Sequence, residues 1–273
     1  MLEKIKVGII GVGMVGGALC HYFEKKGIEP FLYDRGKKLG SPEEVNKADV
    51  IFICVPTPFD KKKGFDLSYV KDAVSKIKGH KVVVIKSTVC PGTTEMFQKK
   101  YSQHKFLFNP EFLVETKADE GMQRPDRQIV GYTKKSCKVA DRVLKLLPKA
   151  AFKRIIPATE AEMIKYFGNN FLTIKVAFAN QIYDLCQKIG VDYNTVKECA
   201  SADKRIGPSH LKIYHNSYRG YGGKCFSKDI RALIQFADKQ GINLKLHKAA
   251  ERVNNELMKK QGIKDPENFR RGE

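Results

Sequence analysis

At 273 residues and 42% hydrophobic composition, the chain can bury one large core or two modest ones. It has no apolar run near the ~20 residues that span a bilayer, and its start, Met1-Leu2-Glu3-Lys4-Ile5-Lys6, lacks the apolar stretch and cleavage site of a secretory signal. The seven cysteines (20, 54, 90, 137, 186, 199 and 225) form no C-x-x-C pair, which argues against a disulfide framework or a metal site and for reduced thiols in the cytoplasm. The net charge of +20, from 50 basic and 30 acidic residues, comes in short scattered runs such as Lys61-Lys62-Lys63 and Arg270-Arg271 with no interleaved aromatics. It reads as a lysine-rich solvated surface rather than a nucleic-acid stripe, and its field would steer polyanionic small molecules.

The first element is a buried strand, Ile5 to Ile10. Gly11-Val12-Gly13-Met14-Val15-Gly16 follows at once, with a helix continuing over Ala18 to Phe23. This is G-x-G-x-x-G between a strand and a helix: one glycine for the tight turn, one for approach of a pyrophosphate to the backbone, one for close helix–strand packing. A second strand, Pro30 to Tyr33, ends at Asp34, eighteen residues past Gly16. That is near the ~20-residue offset of a ribose-binding carboxylate. An acid there selects NAD over NADP, with Arg35 beside it as a discordant charge.

Ala48 to Val55 is a buried strand ending in Pro56-Thr57-Pro58, and a charged loop from Phe59 to Asp66 leads to a helix over Leu67 to Ile77. The strand Lys81 to Ile85 runs into Lys86-Ser87-Thr88-Val89-Cys90-Pro91-Gly92-Thr93-Thr94, placing hydroxyls at the sheet edge where open α/β sheets bind ligands. A helix (Thr94 to Tyr101) and a strand (Lys105 to Phe108) precede Asn109-Pro110-Glu111-Phe112-Leu113-Val114-Glu115. Glu111 and Glu115 are four apart, so one helical turn would put both on one face; solvated surface acids are the other reading. After a polar loop to Pro125-Asp126-Arg127 come a strand (Gln128 to Tyr132), a helix (Ser136 to Leu147) and a short strand (Ala151 to Ile155). Strands alternating with helices predict a Rossmann-type, doubly wound parallel sheet, an α/β fold, over residues 1–157.

From Ala158 to about Ile189 the apolar pattern is helical and unbroken. A helix of that length, ~45 Å, joins domains or forms a dimer seam. It opens an all-α domain, residues 158–273. Glu162, Lys165 and Asn169 form one polar stripe on it, read as a functional row or as a snorkelling lysine beside a surface amide. A helix over Tyr193 to Ala200 and the loop Lys204-Arg205-Ile206-Gly207-Pro208 lead to Gly220-Tyr221-Gly222-Gly223-Lys224-Cys225-Phe226-Ser227-Lys228-Asp229. This glycine-rich turn puts Cys225 at the start of an amphipathic helix, where exposed N–H groups and the dipole favour a thiolate, with Lys228 and Asp229 within a turn. A buried structural cysteine is the alternative. Helices over Asp229 to Gln240 and Leu246 to Gln261 and a polar tail from Pro266 close the chain; no internal repeat is present.

In order, these stretches resemble the UDP-glucose/GDP-mannose dehydrogenase family. The likeness runs from about Lys4 to Asn255 through the glycine motif, Val55-Pro56-Thr57-Pro58, Lys86-Ser87-Thr88-Val89, Asn109 to Glu115, Pro125-Asp126-Arg127, Glu162-x-x-Lys165-x-x-x-Asn169 and Gly220 to Asp229. The resemblance implies two NAD-dependent oxidations of a nucleotide sugar at C6, giving the uronic acid. It implies Cys225 as the nucleophile that captures the aldehyde, Lys165 and Asn169 as oxyanion stabilisers, Asp229 and Thr88 in the same polar cluster, and Glu111 assisting water. It implies a cofactor site made by Gly11, Gly13, Met14, Val15, Gly16, Asp34, Arg35, Pro56, Thr57, Thr88, Glu115 and Lys228. For the sugar it implies Glu111, Phe112, Leu113, Glu115, Lys165, Asn169, Tyr221 and Gly222, with Arg205 reaching the substrate of a partner in a homodimer formed through the long helix.

The chain also departs from the family pattern. Thr116 stands where glycine commonly follows Glu115, Cys90 where proline is common, and Lys224 precedes the cysteine. Members usually continue for well over a hundred residues into a second α/β domain that holds the nucleotide half of the substrate, and 273 residues leave no room for it. A fragment, a domain supplied by a separate chain, and a smaller or differently held substrate are the three readings. Two further functions stay open: a two-electron hydroxy-acid dehydrogenase, against which Cys225 speaks, and a non-catalytic NAD or nucleotide-sugar binding module. Neither nucleic acid nor membrane is an expected partner.

Overall fold

Short β-branched runs alternating with amphipathic segments dictate the first half of the molecule. The computed structural model describes residues 5–60, 64–215, 218–223, 225–264 and 269; the Lys61-Lys62-Lys63 run, Lys224 and nearly all of the tail from Pro266 lie outside them. In chain order the elements are β1 (Val7–Ile10), α1 (Met14–Lys25), β2 (Phe31–Asp34), β3 (Leu39–Gly40), α2 (Pro42–Val45), β4 (Val50–Ile53), the paired strands β5 (Phe59–Asp60) and β6 (Gly64–Phe65), α3 (Ser68–Ser75), β7 (Val82–Ile85), α4 (Thr93–Lys100) and β8 (Lys105–Phe108). A 3-10 turn at Glu115–Lys117, α5 (Ala118–Gln123), β9 (Arg127–Tyr132), α6 (Cys137–Leu146), β10 (Phe152–Pro157), α7 (Ala158–Ile189), α8 (Tyr193–Ser201), β11 (Tyr214–His215), β12 (Tyr218–Arg219), α9 (Phe226–Lys239) and α10 (Lys245–Lys260) complete the chain.

The chain divides into two compact units, Met1–Thr57 with Phe65–Lys165, and Pro58–Gly64 with Tyr166–Glu273. The first is built on an eight-stranded sheet in the order β10-β9-β8-β7-β4-β1-β2-β3. Its inner strands are apolar on both faces, as a sheet covered on both sides requires. Ile51, Ile53, Val83, Ile85 and Phe106 meet Val70 and Val74 of α3 and Phe97 of α4. Phe52, Val84, Leu107 and Val130 meet Leu19 and Phe23 of α1 and Val143 of α6 on the other face.

The sheet is mostly, not wholly, parallel. The edge strand β3 returns antiparallel on β2, and β9 pairs antiparallel with β8. The only helix between β8 and β9, α5, has six residues and is ~9 Å long. It is too short to carry the chain back along a strand, so β9 starts at the end where β8 stopped. The ten-residue α6 does make the return, and β10 is parallel to β9.

Helix α7 follows β10 without a loop. Its first turns press on β9 at Gly131, where an added Cβ would lie 2.7 Å from the Ala161 Cβ. Ala158, Ala161 and Glu162 are fully buried, so the first two turns of α7 pack with the first unit, which runs to Lys165. Gly190, with φ +71, takes the left-handed turn after the helix. In the second unit α8 is capped by Asp192, whose carboxylate accepts from Asn194 N and Thr195 N. Ala177 of α7, Ile230 and Ile234 of α9 and Ala250 of α10 form one apolar core there. The unit is not entirely helical: β11 and β12 make a small antiparallel hairpin before the glycine-rich turn.

Candidate active site

In the first unit the glycine motif has the shape its spacing predicts. Gly11 sits at φ +90, and a Cβ there would come within 2.8 Å of the Cys54 carbonyl carbon and oxygen. A Cβ on Gly16 would lie 1.9 Å from Gly11 O, which locks α1 against the turn. Gly13, the residue capping α1, faces open space with no atom within 4 Å of a Cβ. No side chain caps α1 and no acid lies in its first turn, where Met14 is exposed and Val15 half-buried. A bare backbone at an uncapped, unneutralised helix N-terminus suits a pyrophosphate, so the residues present fit the dinucleotide.

Asp34 ends β2. Its Oδ2 accepts from Val12 N at 2.7 Å and its Oδ1 from Lys37 N at 3.0 Å, which leaves lone pairs for a diol; Arg35 is exposed. Across the sheet edge, Thr57 Oγ1 donates to Thr88 O at 2.7 Å, and Ser87 Oγ donates to Val55 O at 2.6 Å. These bonds tie the end of β4, with its exposed Pro56, to the loop after β7.

That loop is anchored by a residue whose role the sequence does not reveal. Glu162, fully buried on α7, accepts from Gly92 N at 2.6 Å, Thr94 N at 2.8 Å and Thr94 Oγ1 at 2.6 Å. It caps α4 from outside. Burial pushes its carboxyl up to about 7 against the pull of these donors.

Three residues along α7, Lys165 donates from Nζ to Glu111 O and to Glu111 Oε1, both at 2.8 Å. Glu111 Oε2 accepts from Leu113 N at 2.8 Å. Burial works against the Glu111 carboxylate, but the Lys165 charge and these hydrogen bonds outweigh it and hold the carboxyl below its ordinary range. Beneath the pair, buried Lys86 donates to Asn109 Oδ1 at 2.5 Å, and Asn109 Nδ2 donates to Gln128 Oε1 and Ile129 O. Burial lowers the Lys86 pKa. Phe112 carries the Arg127 guanidinium 3.9 Å above its ring. Lys86, Glu111, Phe112, Leu113, Arg124 and Arg127 line part of one cleft of about 360 Å³. Glu111 and Glu115 do not share a helical face. Pro110 starts a non-helical stretch, Glu111 turns inward, and Glu115 opens the exposed 3-10 turn.

In the second unit Cys225 caps the N-terminus of α9 and is exposed. Its carbonyl accepts from Asp229 N at 2.9 Å. Asp229, 1% exposed, accepts from Asn169 Nδ2 at 2.5 Å and from Lys228 Nζ at 2.6 Å. Half-buried Asn169 and Lys228 therefore meet on buried Asp229, a turn along the helix from the thiol. Tyr221 and Gly222 are buried in the turn before it. Arg205 is exposed and pairs with its own neighbour, Nη2 to Asp203 Oδ2 at 2.5 Å. Among the described residues no group of three or more His, Cys, Asp or Glu side chains is arranged to hold a metal ion, and no helix is long and apolar enough to cross a membrane.

The first unit thus carries a glycine cradle at a sheet edge and a buried lysine–carboxylate pair, and the second a helix-capping cysteine. The sequence matches the UDP-glucose/GDP-mannose dehydrogenase family in its NAD binding domain over residues 36–149 and its central domain over residues 159–256. The chain belongs to that family, and the glycine motif at residues 11–16 lies ahead of the matched stretch. Over 221 residues it is 37% identical to the UDP-glucose 6-dehydrogenase of Rickettsia prowazekii, covering 77% of this chain and 50% of that protein. It is 36% identical to the UDP-glucose 6-dehydrogenase TuaD of Bacillus subtilis, covering 78% and 48%. The chain thus spans about half the length of the curated relatives it matches. Among solved structures, a UDP-glucose dehydrogenase of Pyrobaculum islandicum superposes with a TM-score of 0.83 at 29% identity, over 95% of this chain and 72% of that one. A UDP-D-ManNAc dehydrogenase of Pyrococcus horikoshii, at 22% identity and TM-score 0.80 over 95% and 73%, shares the fold.

Proposed function

We propose that the chain carries the catalytic core of a nucleotide-sugar 6-dehydrogenase, oxidising a UDP-glucose-like substrate to its uronic acid through a covalent intermediate on Cys225. The observation that carries this reading is Cys225 at the exposed N-terminus of α9, with the Asn169–Asp229 bond one turn away. An exposed thiol at a helix N-terminus is a setting that activates a nucleophile.

NAD, when bound, accepts the hydride at each oxidation. On this reading Gly13, Met14 and Val15 would take the pyrophosphate and Asp34 a ribose diol, and Thr57, Thr88, Glu115 and Lys228 would complete the contacts. In the first oxidation the C6 hydroxyl would lose its proton to a base or bound water, for which Lys165, Asn169 and Asp229 are the candidate partners, while its hydride leaves. The Cys225 sulfur then adds to the aldehyde carbon, its proton passes to the new oxyanion, and a thiohemiacetal forms. Loss of a second hydride and of the hydroxyl proton gives a thioester. Water attacks it, the C–S bond breaks, the thiol regains a proton and the acid leaves. Lys165 and Asn169 stabilise the oxyanions, and Glu111 takes the proton of the attacking water. Covalent capture on Cys225 would keep the aldehyde in place between the two oxidations.

The sugar is held by Phe112, Leu113, Glu115, Tyr221 and Gly222, and Arg205 serves the substrate of a partner subunit. The exposed apolar residues Phe167, Phe171, Phe178, Leu185 and Ile189 of α7 form the homodimer contact.

The experiment is to count NADH per sugar at limiting UDP-glucose, UDP-N-acetylglucosamine or GDP-mannose. Two NADH per sugar from one of them, and one or none with Cys225→Ser, is the expected result. Full uronate production by Cys225→Ser sinks the nucleophile. One NADH per sugar from the native chain favours a two-electron dehydrogenase, and NAD binding without turnover favours a binding module.

A further inference from the structure

The turn that presents Cys225 is held from behind by α10. Asn254, 1% exposed, makes two bonds to the main chain of one residue: Oδ1 accepts from Tyr221 N at 2.8 Å, and Nδ2 donates to Tyr221 O at 2.9 Å. The bonds fix the amide's orientation, since the flipped group would set donor against donor and acceptor against acceptor. A carboxamide used this way imitates a neighbouring β-strand. Seven residues on, Gln261, the C-terminal cap of α10, does the same to Arg219, with Oε1 accepting from Arg219 N at 2.7 Å and Nε2 donating to Arg219 O at 3.1 Å. The last turns of α10 and its C-terminal cap therefore stand in for a strand along residues 219–221.

The fit leaves no slack between these anchors. Gly220 is at φ +92, and a Cβ there would fall 2.6 Å from Asn254 Oδ1 and 3.3 Å from Met258 Sδ. Only glycine combines that backbone angle with that approach. Beyond the anchor, the buried Tyr221 ring meets Phe226, the first residue of α9, edge-on at 6.4 Å. Cys225, the residue before Phe226, thus lies between a fixed main chain and a fixed helix start.

From this we infer that Asn254 is a positioning residue for the Cys225 thiol. Its amide is buried, and both of its polar atoms are taken up by the Tyr221 main chain. It acts through the Tyr221 main chain by fixing where the helix start, and with it the sulfur, is presented. The inference rests on the reading of Cys225 as the nucleophile, and a readout that needs no turnover separates the two.

That readout is the rate at which iodoacetamide labels Cys225 in the intact chain, followed by peptide mass spectrometry and expressed against the exposed Cys137 and Cys199 of the same sample. General loosening raises all three rates, so the ratio responds only to the local turn. In Asn254→Ala the Cys225 ratio is expected to shift about tenfold, with kcat down on the order of 10²-fold and KM for NAD unchanged, as for an ångström-scale misplacement of a reacting group. A ratio within twofold of the native chain overturns the inference. If Asn254→Ala yields no folded protein, Asn254→Asp, which keeps the acceptor for Tyr221 N and loses the donor, is held to the same two outcomes. Cys225→Ser tests the underlying reading alone: if it still makes uronate the nucleophile falls, while the labelling ratio still decides whether Asn254 sets the turn.

Discussion

Lys165 Nζ lies 2.8 Å from Glu111 Oε1 and 2.8 Å from Glu111 O, and the two side chains are only 6% and 9% exposed. The lysine thus holds both the charge and the main chain of the acid. Lys165→Met leaves a buried carboxylate without its cation, and breaking such a pair costs about 3–5 kcal/mol. Lys165→Met combined with Glu111→Leu should recover most of that loss, because no charge is then buried alone. Urea unfolding at pH 7 of the two single variants and the double variant checks this; a double variant as unstable as the sum of the singles refutes the coupling.

Glu162 predicts a stability that falls as pH rises. Burial raises its folded-state carboxyl from the ordinary 4.5 to about 7. Between those values the folded chain holds a proton that the unfolded chain has released. The favourable contribution is complete below about 4.5 and is lost as pH climbs through 7, by on the order of 2–3 kcal/mol. Glu162→Gln removes the titration. Unfolding free energies at pH 5, 6, 7 and 8 should therefore drop more steeply for the native chain than for the variant, and parallel curves would count against it.

Two glycines of one motif should fail differently. Gly16→Ala drives a methyl to 1.9 Å from Gly11 O and should cost more than about 2 kcal/mol. Gly13→Ala meets no atom within 4 Å and should melt like the native chain or slightly higher. It should nonetheless weaken NAD binding at least tenfold, about 1.4 kcal/mol, because the methyl occupies the pyrophosphate's approach. Calorimetric titration with NAD beside a thermal melt separates the two, and native NAD affinity in Gly13→Ala would move the dinucleotide elsewhere.

The apolar face of α7 carries the assembly prediction. Phe171 and Phe178 are 56% and 59% exposed and seven residues apart, so they stand on one face of the helix. Phe171→Asp with Phe178→Asp should give a monomer by light scattering with unchanged helical content. Finding the same mass for the native and doubly substituted chains would remove α7 as the contact.

The sequence makes legible what depends on repetition or on bare backbone. The inner strands announce themselves as continuous β-branched runs, α7 as a long 3.6-residue period stopped by Gly190, and the Cys225 turn as glycines ahead of an amphipathic helix. What depends on partners distant in sequence stays hidden. Glu111 and Glu115 have helical spacing, yet Lys165, fifty-four residues away, draws Glu111 inward. Glu162 looks like a member of a polar row with Lys165 and Asn169, but the three go to Gly92 and Thr94, to Glu111 and to Asp229 respectively. Strands of two residues, such as those of the Tyr214–Arg219 hairpin, are too short to show any period. The reversed direction of β9 follows from a six-residue helix that the sequence reads as a polar loop. Asn254 gives no signal, since an amide on a helix is commonplace until the main chain it clasps is known.

The segment Pro58–Gly64 belongs with residues from Tyr166 onward, though it lies deep within the stretch that builds the sheet. A Cβ on Gly64 would meet Gln235 of α9 at 2.6 Å, more than 160 residues downstream. No single cut of the chain therefore releases either unit whole. A piece begun at Tyr166 lacks a strand against α9, and a piece ended at Lys165 keeps an orphan. On the ribosome the order is also set: residues 58–64 emerge early and wait for α9 to be made, so the second unit closes only after the first has been completely synthesised.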